Sequence, residues 1–397
     1  MENVSKRLAS LSASQTIAMN QKSREMKEKG MDIINLSVGE PDFPTPDHIK
    51  EAAKKAIDDN YSFYAPVPGY PDLRKAICRK FKEENGLDYT PDQVVVSTGA
   101  KHSIANTLLC IVDKGDEVIV PAPYWVSYVE QVKIGEGVNV VVDTTLENEY
   151  KMKPEQLEAA ITPKTKALLL CSPSNPTGSV YSYEEIEGLV EVLKKYPDII
   201  VISDEIYEHI NFVGEHVSIA QFPGMIERTV VVNGVSKGYA MTGWRIGYLG
   251  APLWIAKACN KLQGQMTSGA TSVAQRAALA ALDGDQTCVS DMNAAFKRRR
   301  DLVLGRLAEI DGIKCTTPGG AFYVFPDMSA FYGKSVNGES IKDSMDLCMY
   351  LLEKGLIATV PGAAFGAPDN IRISYANSDE NLTKAMDRLR DALAELK

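Results

Sequence analysis

A chain of 397 residues, 45% hydrophobic and 24% charged, has the composition of a globular protein and is long enough for two or three domains. A formal net charge of −9 excludes a general binder of nucleic acid or of anionic membrane, because both polyanions would be repelled. Seven cysteines stand singly with no C-x-x-C pair, and four histidines form no H-E-x-x-H, so neither a disulfide framework nor a zinc site has support. The expected location is a reducing, cytoplasmic one.

In chain order, the first nineteen residues mix charges and lack an apolar core, which does not read as a secretory signal. Runs such as "ALLL" and "IIVI" are too short to span a bilayer. Residues 1–44 read as an arm with a short strand in "MDIINLSV". Thr45 is then expected as the N-cap of a helix through "HIKEAAKKAI", with Pro46 at its first position. Six β-branched runs follow: "QVVVS" (93–97), "EVIVP" (117–121), "VNVVVD" (138–143), "ALLLCS" (167–172), "IIVIS" (199–203) and "TVVVN" (229–233). Helix-length segments fall between several of them, and Ser182-x-x-Glu185 supplies a capping box for one. Unbroken apolar runs alternating with helices predict an α/β fold with a mostly parallel sheet covered on both faces. Beyond about 290, a long helix, the segments "AFYVFP" and "NIRISYA", and a final helix predict a smaller α+β region. The cluster Lys297-Arg298-Arg299-Arg300 is expected on a solvated helix face, since Phe296, Val303, Leu307 and Ile310 recur at helical spacing around it.

In an open parallel sheet, ligands bind beyond the carboxyl ends of the strands, so the residues following each run are the ones to weigh. These are Thr98-Gly99-Ala100-Lys101, Tyr124-Trp125, Ser174-Asn175-Pro176, Asp204-Glu205-Ile206-Tyr207 and Ser236-Lys237. A glycine turn opening a helix offers backbone N–H groups to a phosphate, and Ser236 and Arg245 add charge-assisted donors. Trp125 offers a flat face for a flat ring, and Asp204 a partner for a protonated ring nitrogen. Lys237, near other cations, has reason to titrate below ~10.4 and to condense with an aldehyde. The ligand that meets these needs together is pyridoxal 5′-phosphate. Taken singly, Trp125 reads as core, Asn175-Pro176 as a turn and Arg372 as a solvent-facing residue of an alternating strand. Asp204 alone reads as a helix cap. Only the convergence of five strand ends favours the site.

The ordered set "GEPDFPTP", "YAPVPGYPDLR", "PYWVSY", "SPSNPTG", "SDEIYEH", "SKGYAMTGWRIGY", "GGAFYVF", "VPGAAFG" and "RISYA" resembles the class I aminotransferases of fold type I, bacterial aspartate type, along nearly the whole chain. The resemblance implies a large cofactor-binding domain at 45–290, with 1–44 giving an arm and part of a small domain completed by 291–397. It implies that Lys237 joins the cofactor's aldehyde and later moves the substrate's α-proton. Asp204 would pair with the pyridine nitrogen, Tyr207 and Asn175 with the ring's phenolic oxygen, and Trp125 would stack on the ring. Gly99, Ala100, Ser236 and Arg245 would hold the phosphate, with Tyr64 arriving from the partner of a homodimer. Arg372, with Asn175 and Gly39, would take the substrate α-carboxylate. Lys101 beside the phosphate turn would meet a distal carboxylate, and Ser14 and Thr16 would close over the substrate. The expected reaction is aspartate with 2-oxoglutarate, in two half-reactions; prephenate or aromatic transamination is the alternative within the subgroup. A lyase or cyclopropane-carboxylate synthase of the same fold is a more distant option. A regulator's ligand-sensing domain would need an added DNA-binding module, and a nicotinamide dehydrogenase a G-x-G-x-x-G that is missing here.

Overall fold

The computed structural model describes residues 4–12, 15–336 and 338–397. The six apolar runs form strands β1 (Val94–Ser97), β2 (Glu117–Ala122), β3 (Val138–Asp143), β4 (Thr165–Cys171), β5 (Ile200–Asp204) and β6 (Thr229–Gly234). A seventh, β7 (Gly247–Gly250), lies in "GYLG", which is too short and glycine-rich to announce itself as a strand. The sheet order is β1-β7-β6-β5-β4-β2-β3. The pairs β2/β3, β2/β4, β4/β5 and β5/β6 are parallel, and β7 runs antiparallel to both β1 and β6. The sheet is therefore mostly parallel, as expected, with one reversed strand wedged near an edge.

β5 is buried along its whole length, which explains why its run is unbroken Ile/Val rather than alternating. Each such side chain removes apolar surface worth roughly 1.5–3 kcal/mol from water. The helix Tyr183–Leu193 starts with the predicted capping box: Ser182 Oγ accepts from Glu185 N–H at 3.2 Å, and Glu185 Oε2 from Ser182 N–H at 2.8 Å. The helix Asp47–Asp58 departs from expectation. Pro46, not Thr45, is its cap residue, and no side chain caps it. The Thr45 hydroxyl instead donates to Ala240 O (2.7 Å) and accepts from Trp244 Nε1 (2.9 Å), tying the helix entry to the segment after Lys237.

The remaining elements build a second layer. Ile34–Asn35 pairs in parallel with Ile357–Ala358, and Ile371–Ser374 pairs antiparallel with both Val360–Pro361 and Tyr323–Val324. The long helix Thr287–Leu307 packs on the final helix Asp379–Ala394. Their core joins Met19, Ile33, Phe296, Phe322, Leu351 and Leu389 to Ile206 and Tyr207 from the turn after β5. The expected solvated face on the long helix is corrected in part. Arg299 and Arg300 are buried, because Arg299 forks onto Asp42 (2.8 and 3.0 Å) and Arg300 donates to Pro318 O (2.9 Å). All seven cysteines are free thiols, and no helix among the described residues is long and apolar enough to cross a membrane.

Candidate active site

The turns after β1, β2, β4, β5 and β6 open into one cavity of about 310 Å³, completed by the loop at Gly39 and by the strand carrying Arg372. Ala100, Lys101, Trp125, Asn175, Asp204 and Tyr207 line it, as do Ser236, Lys237, Arg245, Gly39 and Arg372. Gly99 precedes Ala100 at the helix start. Tyr64 is 98% exposed and lies in a separate surface hollow with Phe63 and Thr271. Ser14 falls outside the described residues, as does the side chain of Thr16.

One part of the cavity suits an anion. Gly99, at φ 83°, starts the helix Ala100–Ile111 with no side-chain cap, so the first-turn N–H groups meet no side-chain acceptor. A Cβ on Gly99 would strike the Arg245 guanidinium, and one on Gly247 of β7 would strike the backbone nitrogen of Ala100. Glycine at both positions lets turn, strand and guanidinium close together. Arg245 sits in the left-handed region at φ 59° and donates to Thr242 O (2.8 Å) and Thr98 O (3.4 Å).

Lys237, Asp204 and Tyr207 also line the cavity. Lys237 Nζ donates to Gly39 O at 2.5 Å and lies 5.7 Å from the Tyr207 ring centre. Burial pushes its amine down to about 8; Glu40 opposes this, while Arg372 and Arg245 add to it. Asp204 accepts from Tyr128 Oη (2.6 Å) and Ile206 N–H (3.3 Å). Burial outweighs those bonds and raises its carboxyl to about 6, with Glu205 adding and Lys237 opposing. A carboxyl in that state lacks a close cation, and a protonated ring nitrogen would supply one. Tyr207 Oη shares a hydrogen bond with Tyr323 Oη at 2.8 Å, and burial drives its phenol well above the ordinary value.

Two further cations have no carboxylate partner among the described residues. Arg372, 2% exposed, donates from Nη1 to Asn175 Oδ1 (2.9 Å) and from Nη2 to Ser37 O (2.7 Å), while its Nε has no partner. The guanidinium lies 4.5 Å from the Tyr323 ring centre. Lys101 Nζ stands 4.8 Å from the Trp125 ring centre, and burial, then Arg245, lower its pKa. Arg372 is a buried cation without an anion, which is costly, and Lys101 stands exposed at the cavity mouth with no counter-charge among the described residues, so the arrangement favours a ligand that brings its own carboxylates.

The family model described as Aminotransferase class I and II matches residues 31–389. The chain belongs to the class I and II aminotransferases. It is 49% identical over all of both chains to the aspartate/prephenate aminotransferase of Cereibacter sphaeroides. It is 46% identical to the aspartate aminotransferase of Geobacillus stearothermophilus, covering 97% of this chain and 98% of that one. Among solved structures, the aspartate aminotransferase of Rhizobium meliloti superposes with a TM-score of 0.96 at 44% identity, over the whole of both chains. The Thermus thermophilus aspartate aminotransferase with maleate gives 0.93 at 42% identity, over 99% and 100%. The fold type I architecture expected from the sequence is thus the fold of this aminotransferase.

The site also uses residues to which sequence reasoning gave no role. Tyr128 holds Asp204, Tyr323 holds Tyr207, and Cys171 and Thr242 complete the wall. Tyr128 follows Trp125 by three positions at the start of the helix Ser127–Ile134, a spacing that returns a side chain to the same face. Trp125 and Tyr128 indeed meet edge to face, with ring centres 5.3 Å apart. For Tyr323 only the quoted segment "GGAFYVF" marked the neighbourhood.

Proposed function

We propose that this aminotransferase exchanges the amino group of L-aspartate for the keto group of 2-oxoglutarate, with pyridoxal 5′-phosphate held in the cavity. The observation that carries the substrate is the presence of two cations without carboxylate partners among the described residues, Arg372 and Lys101, in a single cavity. Aspartate and 2-oxoglutarate each bring two carboxylates. A fork such as Arg372 suits the α-carboxylate and a point charge such as Lys101 the distal one. In the Thermus relative the named ligand is maleate, itself a four-carbon dicarboxylate.

The residues present fit the cofactor. The uncapped glycine turn with Ser236 and Arg245 suits a phosphate, Trp125 a ring face, Asn175 and Tyr207 a phenolic oxygen, and the raised carboxyl of Asp204 a ring N–H. When bound, the cofactor supplies an aldehyde carbon and a protonated ring able to take up the electron pair released at the substrate's α-carbon. Around it, Lys237 would hold on Nζ the proton released from that α-carbon, a task that needs a neutral amine near working pH. Asp204 keeps the ring nitrogen protonated, and Tyr128 keeps Asp204 aimed. Asn175 orients Arg372 toward the α-carboxylate.

One observation favours the alternative substrate as well. Lys101 also lines a second hollow of about 560 Å³ with Tyr124, Gln131 and Ala363, so a larger distal group has room beside the same cation. Prephenate carries such a group, and the Cereibacter relative bears both names. The test is a half-reaction screen. Cofactor-loaded enzyme is mixed with aspartate, glutamate, arogenate, alanine or phenylalanine, and loss of the bound-cofactor absorbance is followed. Fast loss with aspartate and glutamate is expected. Equal rates with alanine would sink the dicarboxylate reading, and a faster arogenate reaction would move the assignment to prephenate.

We also propose a cytoplasmic homodimer in which Tyr64 serves the partner's phosphate site, supported by the exposure of Phe63 and Tyr64. The division at 44/45 and 290/291 is likewise proposed, supported by the core that Met19 and Ile33 share with the chain beyond 291. Sedimentation of the holoenzyme tests the first; a monomer active at wild-type rate would overturn it.

A further inference from the structure

The end of β5 and the turn after it, Asp204-Glu205-Ile206-Tyr207-Glu208-His209, present two faces. Asp204, Ile206 and Tyr207 line the cavity. Glu205 and Glu208, 1% and 6% exposed, find their partners elsewhere. Glu205 Oε1 accepts from Ser203 Oγ (2.8 Å) and Ser218 Oγ (2.7 Å), and its Oε2 lies 2.9 Å from His216 Nε2. Glu208 Oε2 accepts from Asn85 Nδ2 (2.8 Å), while its Oε1 pairs with Lys80. Lys80 is buried too, and donates to Asn85 Oδ1 at 2.7 Å. His209 Nε2 lies 2.8 Å from Glu84 Oε2.

The groupings Glu84/Glu208/His209 and Glu205/Glu208/His216 have the spacing of metal ligands. The Lys80 ammonium already stands among these carboxylates, so an internal ion pair describes the cluster better than a metal site. Its charges are ordered by burial. Burial raises the Glu208 carboxyl, but Lys80, His209 and His216 together bring it down to about 2. Burial lowers the His216 imidazole, and the Glu205 and Glu208 carboxylates more than reverse this.

The cluster also abuts the Lys237 turn. A Cβ on Gly238 would sit 2.6 Å from His209 Nδ1, so the residue after the lysine packs directly on the imidazole. Buried ion pairs of this kind add little stability over an apolar core of the same volume, whereas losing one partner strands a charge. What they supply is orientation, and here that orientation falls on a turn with cofactor-facing groups on its other side.

We propose that Lys80, Glu205, Glu208 and His216 are positioning residues for transamination: from behind the sheet end they fix where Asp204 and Tyr207 face the cofactor and, through His209 against Gly238, where Lys237 stands. The proposal rests on reading the cavity as the pyridoxal phosphate site. None of the four touches the cavity, so their effect passes through the turn.

The test compares wild type with Glu208→Gln, Lys80→Met, Lys80→Arg and the double variant Lys80→Met/Glu208→Met. For each, melting temperature, pyridoxal phosphate affinity of the apoprotein, the pH midpoint of the bound-cofactor absorbance, and kcat and KM are measured. In Glu208→Gln, which is nearly isosteric, the midpoint should move by about half a pH unit and cofactor affinity fall roughly tenfold, with kcat falling more than KM changes. Lys80→Arg should recover most of what Lys80→Met loses. The double variant removes both charges and should melt near wild type, yet keep the displaced midpoint. A folded Glu208→Gln or double variant with wild-type midpoint, affinity and kcat would overturn the proposal, leaving the cluster purely structural. Failure of the wild-type protein itself to bind pyridoxal phosphate would instead overturn the reading of the cavity.

Discussion

Two groups of basic residues in this molecule are treated in opposite ways. On the helix Thr287–Leu307, the run Arg298-Arg299-Arg300 is matched by carboxylates from the chain itself: Asp379 for Arg298 and Arg299, Asp42 for Arg299, and Asp301 for Arg300, which also donates to Pro318 O. In the cavity, Lys237, Arg245, Arg372 and Lys101 have no carboxylate partner among the described residues, although burial lowers the pKa of Lys237, Arg372 and Lys101. The first group finishes a fold. In the proposed function the second takes its anions from a phosphate and from substrate carboxylates. A basic residue is therefore informative about function when the fold aims it into a cavity and gives it no counter-charge, most of all where, as for Arg372, it is also buried.

Breaking the second group should cost activity before stability. The largest effect is expected for Lys237→Ala, which should still bind the cofactor but lose about 10⁴-fold or more in kcat, as both the covalent attachment and the proton carrier are removed. Steady-state turnover with a binding control measures it. Next, Arg372→Leu should lower kcat/KM for aspartate and 2-oxoglutarate together by roughly 10²–10⁴, the loss of a forked pair of charge-assisted bonds. Arg372→Lys should recover only part of that, since an ammonium cannot fork.

Asp204 sharpens the comparison through pH. Its folded pKa of about 6 lies above the ordinary 3.8, so between those pH values the folded apoprotein holds a proton that the unfolded chain has released. The apoprotein should accordingly lose stability as pH rises from about 4 to 6, by ~3 kcal/mol from this group. Asp204→Asn should remove that slope in urea titrations. Cofactor binding should flatten it too, because a ring cation favours the carboxylate.

Much of the site is legible in the order of residues along the chain. The strand ends are visible because buried parallel strands are unbroken apolar runs, and the chemistry sits just after them. What the chain conceals is set by contacts between distant segments. Tyr128 reaches Asp204 across 76 positions, Tyr207 reaches Tyr323 across 116, and Arg299 finds Asp42 across 257. Helical spacing places Arg299 on one face of its helix but says nothing of what packs there, which is why spacing alone predicts a solvated face. Thr45 departs from expectation for the same reason, its hydroxyl being taken by Ala240 and Trp244.

Smaller effects should separate the two ends of the substrate. Lys101→Ala should weaken aspartate and 2-oxoglutarate about 10–100-fold while leaving alanine and phenylalanine within a few fold, the worth of one charge-assisted bond. Equal losses for all four would remove Lys101 from substrate recognition. Smallest of all, Arg298→Ala breaks a mostly exposed pair and should leave the denaturant midpoint close to wild type and kcat/KM unchanged.

The chemistry of the cavity turns on Lys237 being the amine held for the cofactor. Borohydride reduction of the pyridoxal phosphate-loaded protein, followed by peptide mass spectrometry, tests this directly, because reduction fixes an amine–aldehyde linkage permanently. A single cofactor adduct on the peptide containing Lys237 is the expected result. An adduct on another lysine, or none on a protein that retains the cofactor's absorbance, would contradict it.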